Sequence, residues 1–149
     1  MRIRPYCTQD CPAPCCLFYD TVHAVNRRDY GPQELEAWAP APPDPGAWDP
    51  TFLAHRTLAA EENGQILGFA DMDDAGYLDR LYVHKDHQGE GVAAALCDAL
   101  EQECKARPLV THASITARGF FEHRGYEAVR AQRVLRRGVE LTNFVMEKR

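Results

Sequence analysis

The sequence lacks long apolar runs and has no excess of basic residues. No stretch approaches the roughly 18 apolar residues that a membrane-spanning helix needs, and residues 1–5 lack the apolar core and cleavage site of a signal peptide. Its 149 residues include 17 lysines and arginines against 22 aspartates and glutamates, a net charge of −5. A chain with this net charge lacks the excess of positive charge that nucleic-acid binding needs. We therefore expect a cytoplasmic protein without a membrane or nucleic-acid partner.

The cysteines lack the paired spacing that is typical of a structural zinc site. Four lie near the N-terminus and two lie in a later helical pattern: Cys7, Cys11, Cys15, Cys16, Cys97 and Cys104. The first three recur every four residues, which is a helical spacing, whereas zinc ligands usually come as two closely spaced pairs. We expect reduced, mostly structural thiols and no metal. A thiol-rich metal or redox protein remains as the third of three functional hypotheses.

Hydrophobic periodicity predicts one α/β domain over residues 1–149. Apolar residues at intervals of three and four predict helices at about 11–29, 35–38, 92–107 and 117–124. Alternation and turn signals predict strands at 3–6, 56–62, 65–72, 77–84, 109–115, 126–135 and 140–146. Asn63-Gly64 is a strong hairpin turn. Residues 40–50 contain five prolines and are predicted as an irregular loop that Trp38 and Trp48 pin to the core.

The strand at 77–84 contains an acidic residue among mostly apolar ones. Alternation places Leu78, Arg80 and Tyr82 on one face and Asp79 on the other. Burying a carboxylate in such a strand costs folding free energy unless it is solvated or paired, so its presence indicates a functional or structural role. Asp79 is therefore a candidate general base. A salt bridge with Arg80 or Arg133 is the structural alternative.

The loop between this strand and the next helix contains glycines and is typical of an anion site. It reads Gln88-Gly89-Glu90-Gly91-Val92-Ala93, and the helical stripe begins at Val92. Unpaired N–H groups and the helix dipole attract phosphate there, and glycine lets the backbone approach a ligand closely. The loop lacks the Lys-Ser/Thr ending of a P-loop and the third glycine of a Rossmann loop. Both of those nucleotide sites are therefore disfavoured.

Two blocks of the sequence resemble motifs of one family. Leu81-Tyr82-Val83 followed by residues 87–93 is similar to the acyl-CoA motif of the GNAT superfamily of N-acetyltransferases, written Q/R-x-x-G-x-G/A. The match is offset by one residue, because Gln88 directly precedes Gly89. Residues 117–126 resemble the family's A-x-x-F-Y-E-x-x-G-F block. The two motifs follow the family's order, and the element order agrees over nearly the whole chain.

The resemblance implies a GNAT-like fold, a mixed and mostly antiparallel sheet of about seven strands flanked by about four helices. It implies acetyl-CoA as co-substrate between the fourth and fifth strands, with pantetheine along the backbone of Tyr82 and Val83 and pyrophosphate on the amides of residues 89–93. The positions assigned to the co-substrate are Tyr82, Val83, Gln88, Gly89, Glu90, Gly91, Val92, Ala93, Ser114 and Phe121. The Glu90 side chain is expected to point to water, since a carboxylate beside a pyrophosphate is repulsive.

The activity implied by the resemblance is acetyl transfer from acetyl-CoA to a primary amine of a small molecule or peptide, by direct attack in a ternary complex. The catalytic candidates are Asp79 as the base and Tyr82 and Ser114 near the departing thiolate. The family's usual tyrosine acid is Phe121 here, which can donate no proton. Three histidines are alternative proton relays: His84, His112 and His123. The second functional hypothesis is a non-catalytic CoA-binding protein, and either would be a monomer or a homodimer.

Overall fold

Seven strands and five α-helices follow one another along residues 1–149, all of which the computed structural model describes. The strands are β1 (Arg2–Pro5), β2 (Arg56–Glu62), β3 (Gln65–Met72), β4 (Tyr77–Val83), β5 (Leu109–Ser114), β6 (Glu127–Arg136) and β7 (Val139–Lys148). The helices are α1 (Pro12–Ala24), α2 (Pro32–Trp38), α3 (Pro45–Ala54), α4 (Val92–Glu103) and α5 (Arg118–His123). Short 3-10 turns lie at Thr8–Asp10 and Asn26–Arg28. None of the helices combines the length and the apolar character needed to cross a bilayer.

The strands form one sheet in the order β1-β2-β3-β4-β5-β7-β6. Every neighbouring pair is antiparallel except β4 and β5, which run parallel. This confirms the predicted mixed, mostly antiparallel sheet. The parallel pair is joined only where Tyr77 lies opposite Val110 and Leu78 lies opposite Thr111. Beyond Leu78 the two strands are no longer paired, so the middle of the sheet opens.

A β-bulge lies at the point where the sheet opens. Asp71 of β3 lies opposite Arg80 while Met72 lies opposite Leu78, so Asp79 is an extra residue in β4. An extra residue shifts the alternation of every side chain that follows it. Leu78 therefore belongs to the same core as Val83, whereas Arg80 and Tyr82 lie on the opposite face. The predicted grouping of Leu78 with Arg80 and Tyr82 is wrong for this reason.

Two apolar cores cover the two faces of the sheet. The first lies beneath α4 and α5 and includes Leu78, Leu96, Cys97, Leu100, Phe121 and Met146. The second lies beneath α1, α2 and α3 and includes Cys11, Cys15, Phe18, Tyr30, Phe52 and Phe69. Three of the six cysteines, Cys11, Cys15 and Cys97, are thus buried core side chains. This agrees with the expected structural role of those thiols.

Helix α3 corrects the prediction of an irregular loop over residues 40–50. Asp44 caps the helix, since its Oδ1 accepts a hydrogen bond from the Gly46 N–H at 3.3 Å, and Pro45 follows at the first helical position. Both residues are favoured at these positions. Pro50 lies inside the helix and removes one backbone donor without ending it. Trp48 packs against the second core, as expected, but from a helix rather than from a loop.

Candidate functional site

A cavity of about 730 Å³ opens where β4 and β5 separate, which is within the range of small-molecule sites. Its walls come from the end of α1, strand β4, the start of α4, strand β5 and helix α5. The predicted site residues that line it are Asp79, Tyr82, Val83, Gln88, Gly89, Gly91, Val92, Ala93, Ser114 and Phe121. Every position assigned to the co-substrate or named as a catalytic candidate, except Glu90, is therefore brought together in one place. Of the three histidines proposed as alternative relays, only His112 lines the cavity.

The two glycines of the loop have the backbone conformation that glycine favours. Gly89 has φ +73° and Gly91, the N-cap of α4, has φ +84°. No protein atom lies within 4 Å of the place where a Cβ would stand on either residue. Both glycines line the cavity, so a ligand can approach the backbone there. The first N–H groups of α4 are unpaired within the helix and make this end attractive to an anion.

The polar side chains of the loop have separate roles. Gln88 Nε2 donates to the carbonyl oxygens of Val83 at 2.8 Å and His84 at 3.3 Å, which ties the loop to the end of β4. Glu90 is exposed and lies 3.0 Å from His87 Nδ1. The carboxylate is therefore exposed to water, as expected, and Glu90 is not among the residues that line the cavity.

The opened edge of β4 presents backbone donors. The His84 N–H donates to the Leu67 carbonyl of β3 at 2.7 Å. Because backbone groups alternate along a strand, the N–H groups of Leu81 and Val83 point the other way, toward the gap. The Val83 carbonyl is already engaged, since Thr21 Oγ1 donates to it at 2.9 Å. An extended ligand along this edge would thus meet the N–H groups of Leu81 and Val83.

Tyr82 is held by aromatic neighbours on the face of α1. Its ring centroid lies 4.9 Å from that of Phe18 and 5.8 Å from that of Phe69. Burial raises the pKa of the Tyr82 phenol well above its usual value. The phenol is therefore protonated at neutral pH and gives up its proton reluctantly.

The two predicted residues on the far side of the gap are Ser114 and Phe121. Ser114 ends β5, and its Oγ accepts a hydrogen bond from the Ala117 N–H at 3.0 Å. That bond leaves the hydroxyl proton free to be donated. Phe121 is buried, with its ring 5.1 Å from those of Phe120 and Tyr126. It contributes an apolar wall to the cavity.

Asp79 lies at the opening between β4 and β5 with no ion pair. Arg80 pairs with Asp71, and Arg133 pairs with Glu140 at 3.6 Å. The salt bridge considered as the structural alternative for Asp79 is therefore wrong. Its carboxylate reaches solvent through the cavity, yet partial desolvation and then the nearby charge of Asp71 raise the pKa of Asp79. A carboxylate with this environment is suited to accept a proton.

A buried ion network next to Asp79 was not predicted. The Asp71 side chain has no exposed surface, Arg80 Nε donates to its Oδ1 at 3.0 Å, and His55 Nδ1 lies 2.8 Å from its Oδ2. The Arg80 guanidinium also lies 4.1 Å from the centre of the Phe52 ring. The criterion that identified Asp79, an acid inside an apolar strand, applies equally to Asp71 and would have found it.

Ligand atoms of His55, Asp71 and Asp79 lie within 4.8 Å of one another. Arg80 donates to both oxygens of Asp71, so a divalent cation would compete with a guanidinium at the central carboxylate. The cluster therefore suits hydrogen bonding better than metal binding.

Two further side chains of the cavity, His112 and Arg28, carry ionisable groups. His112 of β5 has its Nδ1 3.3 Å from Gln132 Nε2, and burial, followed by the charge of Arg130, lowers the pKa of His112. This imidazole is therefore neutral at pH 7 and is a second candidate base.

Arg28 is the only lysine or arginine in the lining and Asp79 is the only acid. No local sequence pattern distinguished Arg28, because it is an exposed arginine of a short turn.

Comparison with known proteins places this architecture among acetyltransferases. The family profile described as an acetyltransferase (GNAT) domain matches residues 26–148. A protein of Escherichia coli K12, YafP, described as an uncharacterized N-acetyltransferase, is 34% identical over 146 residues, which cover 98% of this chain and 94% of that protein.

Solved structures show the same fold. A GCN5-related N-acetyltransferase from Rhodopseudomonas palustris superposes with a TM-score of 0.93 at 34% identity, covering 99% of this chain and 94% of that one. A putative acetyltransferase from Salmonella typhimurium, solved with its cofactor acetyl-CoA, superposes with a TM-score of 0.72 at 22% identity, covering 99% and 92% of the two chains.

Proposed function

Because the chain belongs to the GNAT family of acetyltransferases, we propose that it transfers an acetyl group from acetyl-CoA to a primary amine of a small molecule or peptide. The observation that supports this most directly is the cavity at the separation of β4 and β5, which joins an anion-binding helix end to an unpaired carboxylate. The Salmonella relative that was solved with acetyl-CoA shares this fold.

The residues present fit acetyl-CoA. Its pyrophosphate suits the N–H groups of residues 89–93, where Gly89 and Gly91 leave space that a side chain would fill. Arg28 adds a positive charge to the cavity wall. The pantetheine chain suits the free N–H group of Val83, as a further strand would, and leaves that of Leu81 for the thioester carbonyl.

Groups that attract anions and the one acidic side chain both line the cavity. The start of α4 and Arg28 make one part attractive to phosphate, while Asp79 is the single acidic side chain in the lining. A cationic amine is therefore favoured near Asp79. This separation lets the acceptor and the thioester meet where β4 and β5 diverge, and positioning of that kind supplies much of the rate in direct transfer reactions.

Each step of the transfer has a candidate group in this chain. Asp79 takes the proton of the acceptor ammonium, so that the free amine can form the new C–N bond while the C–S bond breaks. The Leu81 N–H, the free donor of β4 that is nearer to Asp79 in the chain, donates toward the oxygen on which charge develops. Ser114 passes to the departing sulfur, directly or through a water, the proton that the nitrogen loses as the amide forms, so that its hydroxyl is restored. Tyr82 is the other predicted donor, and burial raises the pKa of its phenol above the usual value.

A second function, CoA binding without transfer, is favoured by one observation. Phe121 occupies the position where the resembled motif has a tyrosine, so the expected phenol is absent from the cavity. Turnover separates the two functions. We expect release of free CoA thiol with at least some members of a panel of primary amines. Binding of acetyl-CoA with no thiol release from any amine would favour the second function.

The binding step is tested by thermal unfolding with and without acetyl-CoA. Ligand at 100 times its dissociation constant stabilises the native state by about 2.7 kcal/mol, which raises the midpoint by several degrees. We expect Gly91→Asp to abolish this shift, because it adds bulk and negative charge where the pyrophosphate would lie.

The matched control is Gly138→Asp in the β6–β7 turn, which has a similar φ of +80° and equally open surroundings. It introduces the same strain and charge away from the cavity, so it should keep the shift. A normal shift in Gly91→Asp would show that the pyrophosphate does not bind at the start of α4.

A further inference from the structure

His87 is a side chain of the cavity that the proposed reaction does not use. It lies in the loop between β4 and α4 and lines the cavity together with Gln88, Gly89 and Gly91. These neighbours form the part of the wall where the phosphates of the co-substrate are expected. The His87 imidazole therefore lies next to the place of the most anionic part of the ligand.

Two contacts hold the His87 ring. Its Nδ1 lies 3.0 Å from Oε1 of Glu90, three residues further along the loop. Its ring centroid lies 5.3 Å from that of His84, in an edge-on arrangement. Because an ionised carboxylate only accepts hydrogen bonds, Nδ1 of His87 carries the proton of the bond to Glu90. Nε2 is then the nitrogen that is left for a ligand.

The contact with His87 accounts for an acidic residue in an anion-binding loop. Glu90 alone would repel a phosphate at short range. When His87 is protonated on both nitrogens, the two side chains form a pair without net charge, and the pair presents Nε2–H as a donor. The carboxylate then orients a phosphate donor instead of opposing the phosphate.

The cavity wall provides few fixed positive charges for the co-substrate. Acetyl-CoA contains a pyrophosphate and a 3′-phosphate, and a phosphate monoester alone carries about 1.5 to 2 negative charges at pH 7. Arg28 is the one lysine or arginine in the lining, and the start of α4 adds about half a positive charge. A further cation is favoured beside the loop, and His87 is the lining residue of the loop that can become one.

The neighbouring histidine, His84, does not suit the same role. The Asp86 N–H donates to Nδ1 of His84 at 3.1 Å, so that nitrogen holds a lone pair rather than a proton. His84 is also absent from the cavity lining. Of the two rings, His87 is therefore the one that can gain a second proton while its existing hydrogen bond remains.

We propose that His87, held by Glu90, takes up a proton from solvent when acetyl-CoA binds and donates Nε2–H to one of its phosphates. This inference rests on the proposed function, because it concerns the co-substrate of that reaction. One proton moves from bulk water to Nε2, and no covalent bond of the ligand forms or breaks. Binding therefore strengthens as the pH falls toward the range in which an imidazole titrates, near about pH 6.5.

Other charged groups around the pair contribute a background to any pH profile. Those of the loop are Glu90, His84, Lys85 and Asp86, and those outside it are Arg28 of the cavity and Asp20 of α1, which lines the groove beyond His84. The 3′-phosphate of the co-substrate also titrates, near about pH 6. Comparison of variants, and of ligands with and without that phosphate, removes these contributions.

Isothermal titration calorimetry in buffers of different ionisation enthalpy measures the protons taken up per ligand bound. Dephospho-CoA and CoA are the two probes, since the first retains the pyrophosphate and lacks the 3′-phosphate. We expect the wild type to take up a fraction of a proton at pH 7, and His87→Asn, whose amide can still donate to Glu90, to take up less. The control is His123→Asn, which removes an exposed histidine outside the cavity and should keep the wild-type uptake.

The two probes identify the phosphate that His87 contacts. A difference between the wild type and His87→Asn with dephospho-CoA assigns the contact to the pyrophosphate. A difference that requires full CoA assigns it to the 3′-phosphate.

The affinities give a second readout. We expect His87→Asn to bind CoA about tenfold more weakly than the wild type at pH 6, with a smaller difference at pH 8.5. His87→Lys supplies a charge that does not titrate in this range, so it should bind well at both pH values with less proton uptake than the wild type.

Equal proton uptake by the wild type and His87→Asn with both probes would overturn the inference, as would dissociation constants within twofold of each other at pH 6. A wild-type protein that binds neither probe would instead overturn the proposed function, on which the inference rests. Normal binding without this proton linkage leaves the acetyltransferase proposal intact and removes only the role of His87.

Discussion

At the scale of single residues, the environment of Asp79 lowers the stability of the fold and at the same time suits the residue to accept a proton. It is the extra residue of a bulge, so it lacks a partner opposite it in β3 and faces the cavity without an ion pair. Partial desolvation and the charge of Asp71 raise the pKa of Asp79 above its usual value. A raised pKa means that the folded protein disfavours the ionised carboxylate relative to the unfolded chain. The same environment makes Asp79 a stronger base.

Asp79→Asn should therefore change stability and activity in opposite directions. As pH rises through the raised pKa, ionised Asp79 costs stability that an amide does not, so the variant should unfold at a higher temperature than the wild type at pH 7. The difference should vanish below about pH 3, where the carboxyl is protonated in both states. Turnover should fall, with the activity profile displaced to higher pH. A lower midpoint at pH 7 together with an unchanged profile would assign Asp79 a purely structural role.

At the scale of elements, the parts that sequence reasoning found are those with local signals. The loop before α4 was visible because glycines, a polar stretch and a helical stripe adjoin one another in the chain. The bulge was not, because it depends on how β4 pairs with β3 rather than on either strand alone. Helix α3 was missed because five prolines within residues 40–50 favour an irregular loop, although Asp44 and Pro45 form a favourable helix start.

The same limit explains which site residues were found. Gly89, Gly91 and Phe121 lie within motifs that can be read from adjacent positions. His55 and Asp71 are 16 residues apart and meet only when β2, which begins at the next residue, pairs with β3. Arg28 reaches the cavity from the turn after α1, which no periodicity predicts.

Arg80 joins three elements, and its removal tests how much that junction contributes. Its guanidinium pairs with Asp71 of β3, donates to Thr51 of α3 at 3.0 Å and stacks on the ring of Phe52. Arg80→Met would leave Asp71 buried beside only His55, and breaking a buried pair in this way costs about 3–5 kcal/mol. Denaturant unfolding measures the loss.

The matched control for Arg80 is Arg133→Met. Its salt bridge to Glu140 is solvent-exposed on both sides, with 75% and 64% of the side chains accessible. Exposed pairs contribute little, so this variant should stay within about 0.5 kcal/mol of the wild type. Equal losses in the two variants would show that Asp71 is not maintained as a buried charge by Arg80.

At the scale of the whole molecule, the sheet consists of two parts joined by a narrow connection. Helix α4 packs on β1, β2, β3 and β4, whereas α5 packs on β5 and β6. Between the parts, β4 and β5 share only two residue pairs. Tyr30 connects the end of β5 to β7, since its hydroxyl accepts from the Ile115 N–H at 3.0 Å and donates to the Thr142 carbonyl at 2.6 Å. A ligand in the gap would add contacts to both parts at once.

Amide hydrogen exchange tests this view of the gap. In the free protein the N–H groups of Leu81 and Val83 should exchange faster than that of His84, which is bonded to Leu67 of β3. Saturating acetyl-CoA should slow exchange at Leu81 and Val83 strongly, since it would supply acceptors along that edge. Amides of β6, at the far edge of the sheet, serve as the internal control and should change little. Equal protection at β6 would indicate general tightening rather than a ligand in the gap.

The bulge at Asp79 also has a genetic consequence. Because Leu78 lies opposite Met72 and Arg80 opposite Asp71, deletion of the single codon for Asp79 would straighten β4 and leave Arg80 and Tyr82 on their present face. Deletion of the Leu81 codon would instead turn Tyr82 from the α1 side to the α4 side. Among descendants of this gene, a one-residue deletion in β4 should therefore be compatible with the fold at Asp79 and not at the residues that follow it, although it would remove the carboxylate.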